Sequence, residues 1–230
     1  MSVIYLIGSL GELSGPYELP TIPGLGVQLP ANGLQLEDPL PSPSPGYAWA
    51  LENGAPQQLE CHLGNVYEKA SGAATEWLQL GPLPEHLTDA PRPSAEHRWV
   101  DGAWRLDPKA LHDAKVQGIN HACEAAITAG FQSDALGAPH LYSSQLDDQL
   151  NLTGAILRGL DMPYACRDAQ GAKDFRLHTA EQLRQVGDDF TLYKLHLLQH
   201  ANELKQQLDL ALAAGDAEAM SLIRWEAAQP

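Results

Sequence analysis

The sequence has 230 residues, 44% of them apolar, which suffices for a packed core in one large domain or two small ones. Fourteen Lys and Arg against 29 Asp and Glu leave a net charge of −15. That balance argues against a nucleic-acid partner, because displacing phosphate counterions needs a basic face. No run approaches the roughly 18 apolar residues of a membrane span, and the opening MSVIYLIGSLGELSG lacks the basic lead and unbroken apolar run of a secretory signal. Cys61, Cys123 and Cys166 are widely spaced and form no C-x-x-C pair, as in proteins of reducing compartments. The expectation is a soluble protein made in the cytoplasm, with no membrane insertion.

Fourteen of the seventeen prolines lie at or before Pro108. Proline fixes φ and removes a backbone donor, so the first half is predicted to be short strands and turns. VIYLIG (Val3 to Gly8) and GVQL (Gly26 to Leu29) read as strands. From Gly46 to Lys69 the pattern predicts strand, turn, strand, strand, with Tyr47, Trp49 and Leu51 on one face. Asn53-Gly54 is a type I′ hairpin signal and Gly64-Asn65 a weaker one. The segments Pro39 to Gly46 and Gly81 to Ser94 read as proline-rich connectors. WVDGAW (Trp99 to Trp104) predicts a hairpin about Asp101-Gly102, whose two indoles stack on one face. Trp99 and Trp104 are therefore expected to act as a staple where the β-rich half ends.

The second half is predicted helical. Asp107 is a natural N-cap with Pro108 at N1, Val116, Ile119, Cys123, Ala126 and Ile127 share a face, and Gly130 is the stop. A polar loop is expected from Phe131 to about Asp148, where Asp147 and Asp148 favour a helix N-terminus and Gln149 and Asn151 can satisfy loop backbone. A short helix is expected from about Asp147 to Leu160, with Leu150, Ile156, Leu157 and Leu160 apolar. A small hairpin follows, turning at Ala169-Gln170-Gly171 and burying Tyr164, Cys166 and Phe175. Thr179 and Gln182 form a capping box for the longest helix, along which Leu183, Phe190, Leu197, Leu204 and Ala211 recur every seven residues. His200 and Gln207 interrupt the second seam, which favours an intramolecular bundle over a long coiled coil. A last helix from about Asp216 to Glu226 is expected to turn Leu222 and Trp225 inward. The fold class is thus α+β: a proline-rich short-strand region (residues 1–106), then an α-helical bundle with a small β-hairpin (107–230).

The search for chemistry assigns no catalytic, cofactor-binding or metal-binding residue. His196 and His200 have i, i+4 spacing, but HLLQH lacks the Glu of the zinc-protease motif and a third ligand. DDQLN (Asp147 to Asn151) lacks the glycine and twelve-residue spacing of a calcium loop. No nucleophile elbow or phosphate-cradling glycine loop is present. The structural or interface candidates are Trp99, Trp104, Leu183, Phe190, Leu197 and Leu204.

One stretch carries a resemblance. AKVQGINHACEAAITAGFQSDALGAPHLYSSQLDDQLNL combines A-I-x-x-G-F (Ala126 to Phe131), S-x-A-L-G…H-x-Y (Ser133 to Tyr142) and D-Q-x-N-L (Asp148 to Leu152). It resembles a helical domain of unassigned function found in tailed-phage proteins, and HTAEQL (His178 to Leu183) and Trp225 also fit. NVYEKASGAATEWLQLGPLPEHLT, followed by W-x-x-G-x-W, is more loosely similar to phage tail-fibre and tail-fibre-assembly proteins. The resemblance implies a non-enzymatic structural component of a phage or prophage tail, at the fibre or tail tip, in host attachment. The alternative it leaves open is an assembly chaperone that binds the fibre during folding and is absent from the virion. It further implies other tail proteins as partners, a homo-oligomer such as a trimer, and a place in the virion tail after synthesis in the bacterial host cytoplasm. It supplies no ligand residues.

Overall fold

The computed structural model describes residues 3–226. The chain divides into two compact units at residues 105 and 106, and its content is mixed α and β. The first unit contains β1 (Val3–Ile7), β2 (Leu13–Tyr17), β3 (Thr21–Ile22), β4 (Gly26–Val27), β5 (Gly33–Leu36), β6 (Tyr47–Glu52), β7 (Ala55–Glu60), β8 (Gly64–Glu68), β9 (Ala74–Trp77), β10 (Leu87–Thr88), β11 (His97–Val100) and β12 (Ala103–Leu106). These build small separate sheets, ordered β2-β1-β5, β3-β4, β6-β7, β10-β8-β9 and β11-β12. The reason is local: proline and glycine break the chain every few residues, so no strand exceeds six. Asn53 and Gly54 both have positive φ, the type I′ turn predicted between β6 and β7.

Three expectations for this unit need correction. Gly64-Asn65 is no turn, because Gly64 opens β8 and the strand pairs with β9 and β10 instead of β7. GVQL contributes only the two-residue β4. The connector from Gly81 to Ser94 contains β10, whose Leu87 and Thr88 are buried against β8. On β6 the buried residue is Ala50, while Tyr47, Trp49 and Leu51 lie on the other, more open side. The Trp49 indole instead donates to the Pro41 carbonyl at 2.7 Å, tying the Pro39 to Gly46 connector to β6.

The second unit runs α1 (Pro108–Thr128), β13 (Phe131–Ser133), β14 (His140–Tyr142), α2 (Leu146–Arg158), β15 (Met162–Arg167), β16 (Lys173–His178), α3 (Ala180–Ala214) and α4 (Ala217–Leu222). The starts of α1 and α3 are those the sequence predicts. Asp107 accepts from the Lys109 amide at 3.0 Å, Thr179 and Gln182 exchange both capping-box bonds, and Gly215 closes α3 in the left-handed region. α1 packs along α3, and Ile119, Cys123 and Ile127 are buried there with Leu197, Ala201, Leu204 and Leu208. The heptad stripe is therefore internal: Leu183, Phe190, Leu197 and Leu204 are buried within this chain. Beyond Leu197 the buried face moves to Ala201, Leu204, Leu208 and Ala211. A straight helix drifts against a seven-residue repeat, which leaves Gln207 exposed without cost.

Four predicted details of this unit are overturned. Phe131 to Tyr142 is not simply loop: β13 and β14 extend the hairpin to a four-stranded antiparallel sheet, β13-β14-β15-β16. Polar Ser133 and His140 occupy its buried positions and disguise the period of two. On α2 the inward residues are Leu152 and Ala155, with Ile156 partly buried, whereas Leu150, Leu157 and the following Leu160 are exposed. Gly187 on α3 sets this rotation: a Cβ there would lie 2.5 Å from Ile156 Cδ1, so its absence lets Ile156 seat against α3. Phe175 is 70% exposed, because Arg176 and His178 take the inner face of β16. Finally, α4 stops at Leu222, which is exposed, and Met220 fills the inward place. Trp225 does turn inward, its ring 4.9 Å from that of His200.

Candidate functional site

Three features are built well enough to be tested as sites: the tryptophan hairpin, the buried polar cluster behind the sheet, and the open grooves beside α2. In the hairpin, Asp101 and Gly102 have positive φ, so β11 and β12 close on a two-residue turn. The two indoles are half-buried with centroids 5.3 Å apart and planes at 81°. They meet edge to face instead of stacking as expected, the arrangement that the ring quadrupoles favour. Trp104 Nε1 donates to the Ala90 carbonyl at 2.8 Å, Arg92 lies over the Trp104 ring and Lys69 over the Trp99 ring. Arg92 is itself fixed by donating to the carbonyls of Ser71, Ala95 and His97. The pair thus staples the proline-rich segment before it, within the first unit. Trp104→Ala should cost the aromatic pair about 0.5–1.5 kcal/mol and a hydrogen bond of about 1 kcal/mol. Limited trypsin digestion should then cut several-fold faster after Arg98 and Arg105; unchanged cleavage would show that the staple holds nothing.

Behind the sheet, sequence-motif residues converge. Phe131 contacts Tyr142, Phe190 and Tyr193, with centroids 5.7, 4.9 and 6.4 Å away. The Tyr142 hydroxyl meets His178 Nε2 at 2.8 Å, and His178 Nδ1 lies 2.7 Å from the Arg176 carbonyl. With Nδ1 donating to that carbonyl, Nε2 accepts from tyrosine. Ser144 donates to the Ile127 carbonyl at 2.6 Å and accepts from the Gly130 amide at 2.9 Å, joining the end of α1 to the segment after β14. Ser133 donates to Asp189, and Gln149 donates to the Ser144 carbonyl, as the loop-satisfying role predicts. Gly130 is required here: its φ is +107° and a Cβ would lie 3.0 Å from the Tyr142 carbonyl oxygen.

The chemistry of this cluster is that of a sealed interior. Tyr142, Cys166 and His178 are at most 2% exposed. Burial raises the pKa of Tyr142 and of Cys166, pushes that of Tyr164 up to about 12 and holds that of His178 below its ordinary value. A protonated thiol, a protonated phenol and a neutral imidazole satisfy one another's surroundings and offer no activated nucleophile. Sequence reasoning missed this cluster, although H-x-Y at 140–142 was its period-two signature. Elsewhere, His200 packs on Trp225 while His196 is exposed. Among the described residues no three His, Cys, Asp or Glu side chains gather to hold a metal ion, and no helix is long and apolar enough to cross a membrane.

The grooves flank α2. One of about 460 Å³ lies between α2 and the β15–β16 hairpin, where Asn151, Arg158 and Lys173 surround Tyr164 and Met162. On the other side, clefts of about 490 and 280 Å³ share Gln149, Lys194 and Leu198 and so run together along α3.

The arrangement defines an α+β chain whose second unit carries long antiparallel helices against a small antiparallel sheet. Residues 110–223, just under half of the chain, match the model of a family described as "Domain of unknown function (DUF4376)". The match covers α1 through α4 and hence every element of the buried cluster. No curated protein and no solved structure matches the chain.

Proposed function

We propose that this chain is a non-enzymatic structural component of a phage or prophage tail, at the tail fibre or tail tip, taking part in host attachment with other tail proteins as its partners. The observation that carries this reading is the motif combination from Ala126 to Leu152, which resembles a helical domain of tailed-phage proteins. The roles of those residues suit a structural part. Phe131, Ala135, Tyr142 and Leu152 are buried, Gly130 makes the tight turn, and Asp148 and Gln149 bond loop backbone at the start of α2. A motif devoted to packing and backbone satisfaction supports a scaffold more than a catalyst. The first unit supports assembly as well: its buried apolar residues are Ile4, Tyr5, Ala50, Val66 and Leu87, while Tyr17, Ile22, Val27 and Leu29 are exposed. Short ribbons with so little shared core gain stability by adding to other sheets.

Quantitative mass spectrometry of purified particles tests the reading. Recovery at fixed copy number relative to the fibre subunit is expected. Absence from particles, with misfolded fibres after deletion of the gene, would replace it by the assembly-chaperone reading, and absence with normal fibres would remove both.

A further inference from the structure

The sheet of the helical unit ends at β16, and that edge is open. In the order β13-β14-β15-β16, β15 lies on one side of β16 and no strand of the described residues lies on the other. The parity of the ladder shows which backbone groups face outward. The Asp168 amide donates to the Ala172 carbonyl at 3.2 Å, which makes Asp168 and Ala172 a hydrogen-bonded pair. Counting by twos along the register, Asp174, Arg176 and His178 turn their amides and carbonyls to β15, and Lys173, Phe175 and Leu177 turn theirs away. Pro163 obeys the same parity, its missing amide falling on the side of β15 away from β16. One bond shows the consequence directly. The Phe175 amide donates to the Asp174 carboxylate at 2.8 Å, so a side chain stands where the carbonyl of a further strand would be.

The side chains of this strand are uncovered as well. Phe175 and Leu177 are 70% and 69% exposed, although Lys173 and Phe175 also border the groove beside α2. Charged residues on an edge strand ordinarily prevent pairing with another strand. Here their order favours one pairing. Let β16 meet an identical strand antiparallel, centred on Phe175. Phe175 then faces Phe175 and Lys173 faces Leu177, each pair exchanging both backbone bonds. Asp174 faces Arg176 on either side of the centre, in the non-hydrogen-bonded pairs where side chains come closest. A slip of two residues one way sets Asp174 against Asp174, and the other way Arg176 against Arg176. Both partners are able to make the contact. Arg176 reaches Asp168 through one nitrogen at 2.9 Å, and its Nε has no partner among the described residues. The incoming Phe175 carbonyl takes over the amide that Asp174 now accepts from, which frees that carboxylate.

We propose that two copies of this chain join edge to edge through β16, forming one continuous antiparallel sheet about a two-fold axis at Phe175. An open strand edge is saturated by a strand, and residues 173–177 carry the complement of their own backbone groups and charges. The contact is self-complementary and closes at two copies. The inference needs only the helical unit: a dimer of a chain absent from tails leaves it standing, and a monomer found in tails removes it.

Sedimentation equilibrium of the full chain at tens of micromolar tests it, and a dimer is expected. Phe175→Pro deletes an amide that β15 does not use. It should leave circular dichroism unchanged and weaken association at least tenfold, about 1.4 kcal/mol, whereas Phe175→Ala, which keeps the amide, should weaken it less. Asp174→Arg and Arg176→Asp should each weaken self-association, and an equimolar mixture of the two variants should recover the dimer, because every facing pair is then of opposite charge. The two Phe175 variants decide by themselves if loss of the Asp168 bond unfolds Arg176→Asp. A wild-type monomer at every concentration, a trimer, a dimer that Phe175→Pro leaves intact, or a mixture of the two folded charge variants that stays monomeric would each overturn the proposal.

Discussion

Replacing Phe131 with alanine should remove about 3–5 kcal/mol of stability from the helical unit, the range for deleting a buried phenylalanine. Phe131 is 3% exposed and sits at the centre of the aromatic cluster, with Tyr142 from β14 on one side and Phe190 and Tyr193 from α3 on another. Those neighbours belong to two layers, so neither layer can collapse into the space alone, and a cavity remains. Against a typical domain stability of about 5–15 kcal/mol, the loss lowers the melting temperature by roughly 10–20 °C. Ellipticity at 222 nm under urea or heat reads it, since the long helices are in this unit. Leu210→Ala, at a position 71% exposed, should stay within about 0.5 kcal/mol. Equal effects at the two positions would mean that the aromatic cluster is not the core.

The second large effect is on pH. His178 is fully buried, and burial lowers its proton affinity more than the bond to the Arg176 carbonyl raises it; nearby His140 acts in the lowering direction. The unfolded chain, with an imidazole near 6.5, therefore binds a proton that the folded chain refuses. Stability from this residue is complete above about pH 6.5 and declines as pH falls toward the depressed folded value, by up to about 1.4 kcal/mol per pH unit. His112 acts with the opposite sign. Asp113 first and then Asp209 raise its proton affinity, so its contribution is present below about pH 6.5 and is lost as pH rises through the folded value. The two are separated by difference: His178→Gln keeps an acceptor for the Tyr142 hydroxyl and cannot be protonated. Wild type and variant, unfolded in urea from pH 8 to pH 5, should diverge only below about pH 6.5. Parallel curves would assign the acid sensitivity to other groups.

How much of this was legible in the residues differs by element. Caps and turns were, because they depend on a few adjacent groups: Asp107 with Pro108, Thr179 with Gln182, and Asn53 with Gly54 each act within four residues of chain. The buried faces of α1 and α3 were legible from apolar spacing, but not that the two pack on each other. The interior of the sheet was not. Ser133, His140 and His178 occupy buried positions because Asp189, the Ala138 carbonyl, Tyr142 and the Arg176 carbonyl satisfy them, and no pattern of apolar residues announces a polar residue whose partner is 36 positions away. The faces of α2 and β16 failed for the complementary reason. Their most apolar residues, Leu150, Leu157, Phe175 and Leu177, point outward, and a rule that turns hydrophobic residues inward inverts both.

The first unit is a succession of ribbons, each closed by its own short turns and separated by the segments Pro39 to Gly46 and Gly81 to Ser94. Backbone contacts join successive ribbons, such as the bridges from Glu12 to Ala50 and from Cys61 to Leu80 and the bonds from the Leu51 amide to the Gly11 carbonyl and from the Gly81 amide to the Glu60 carbonyl. Such a chain can change in length without being redesigned. Lengthening or exchanging the turn of one ribbon leaves the backbone ladders of its neighbours in place, since each small sheet of this unit has its own ladder. The helical unit has no such freedom, because one core joins α1, α2, α3, α4 and the sheet. The chain thus combines a half that tolerates variation by segments with a half that must vary as a whole, and differences in length among its relatives should accumulate before residue 105.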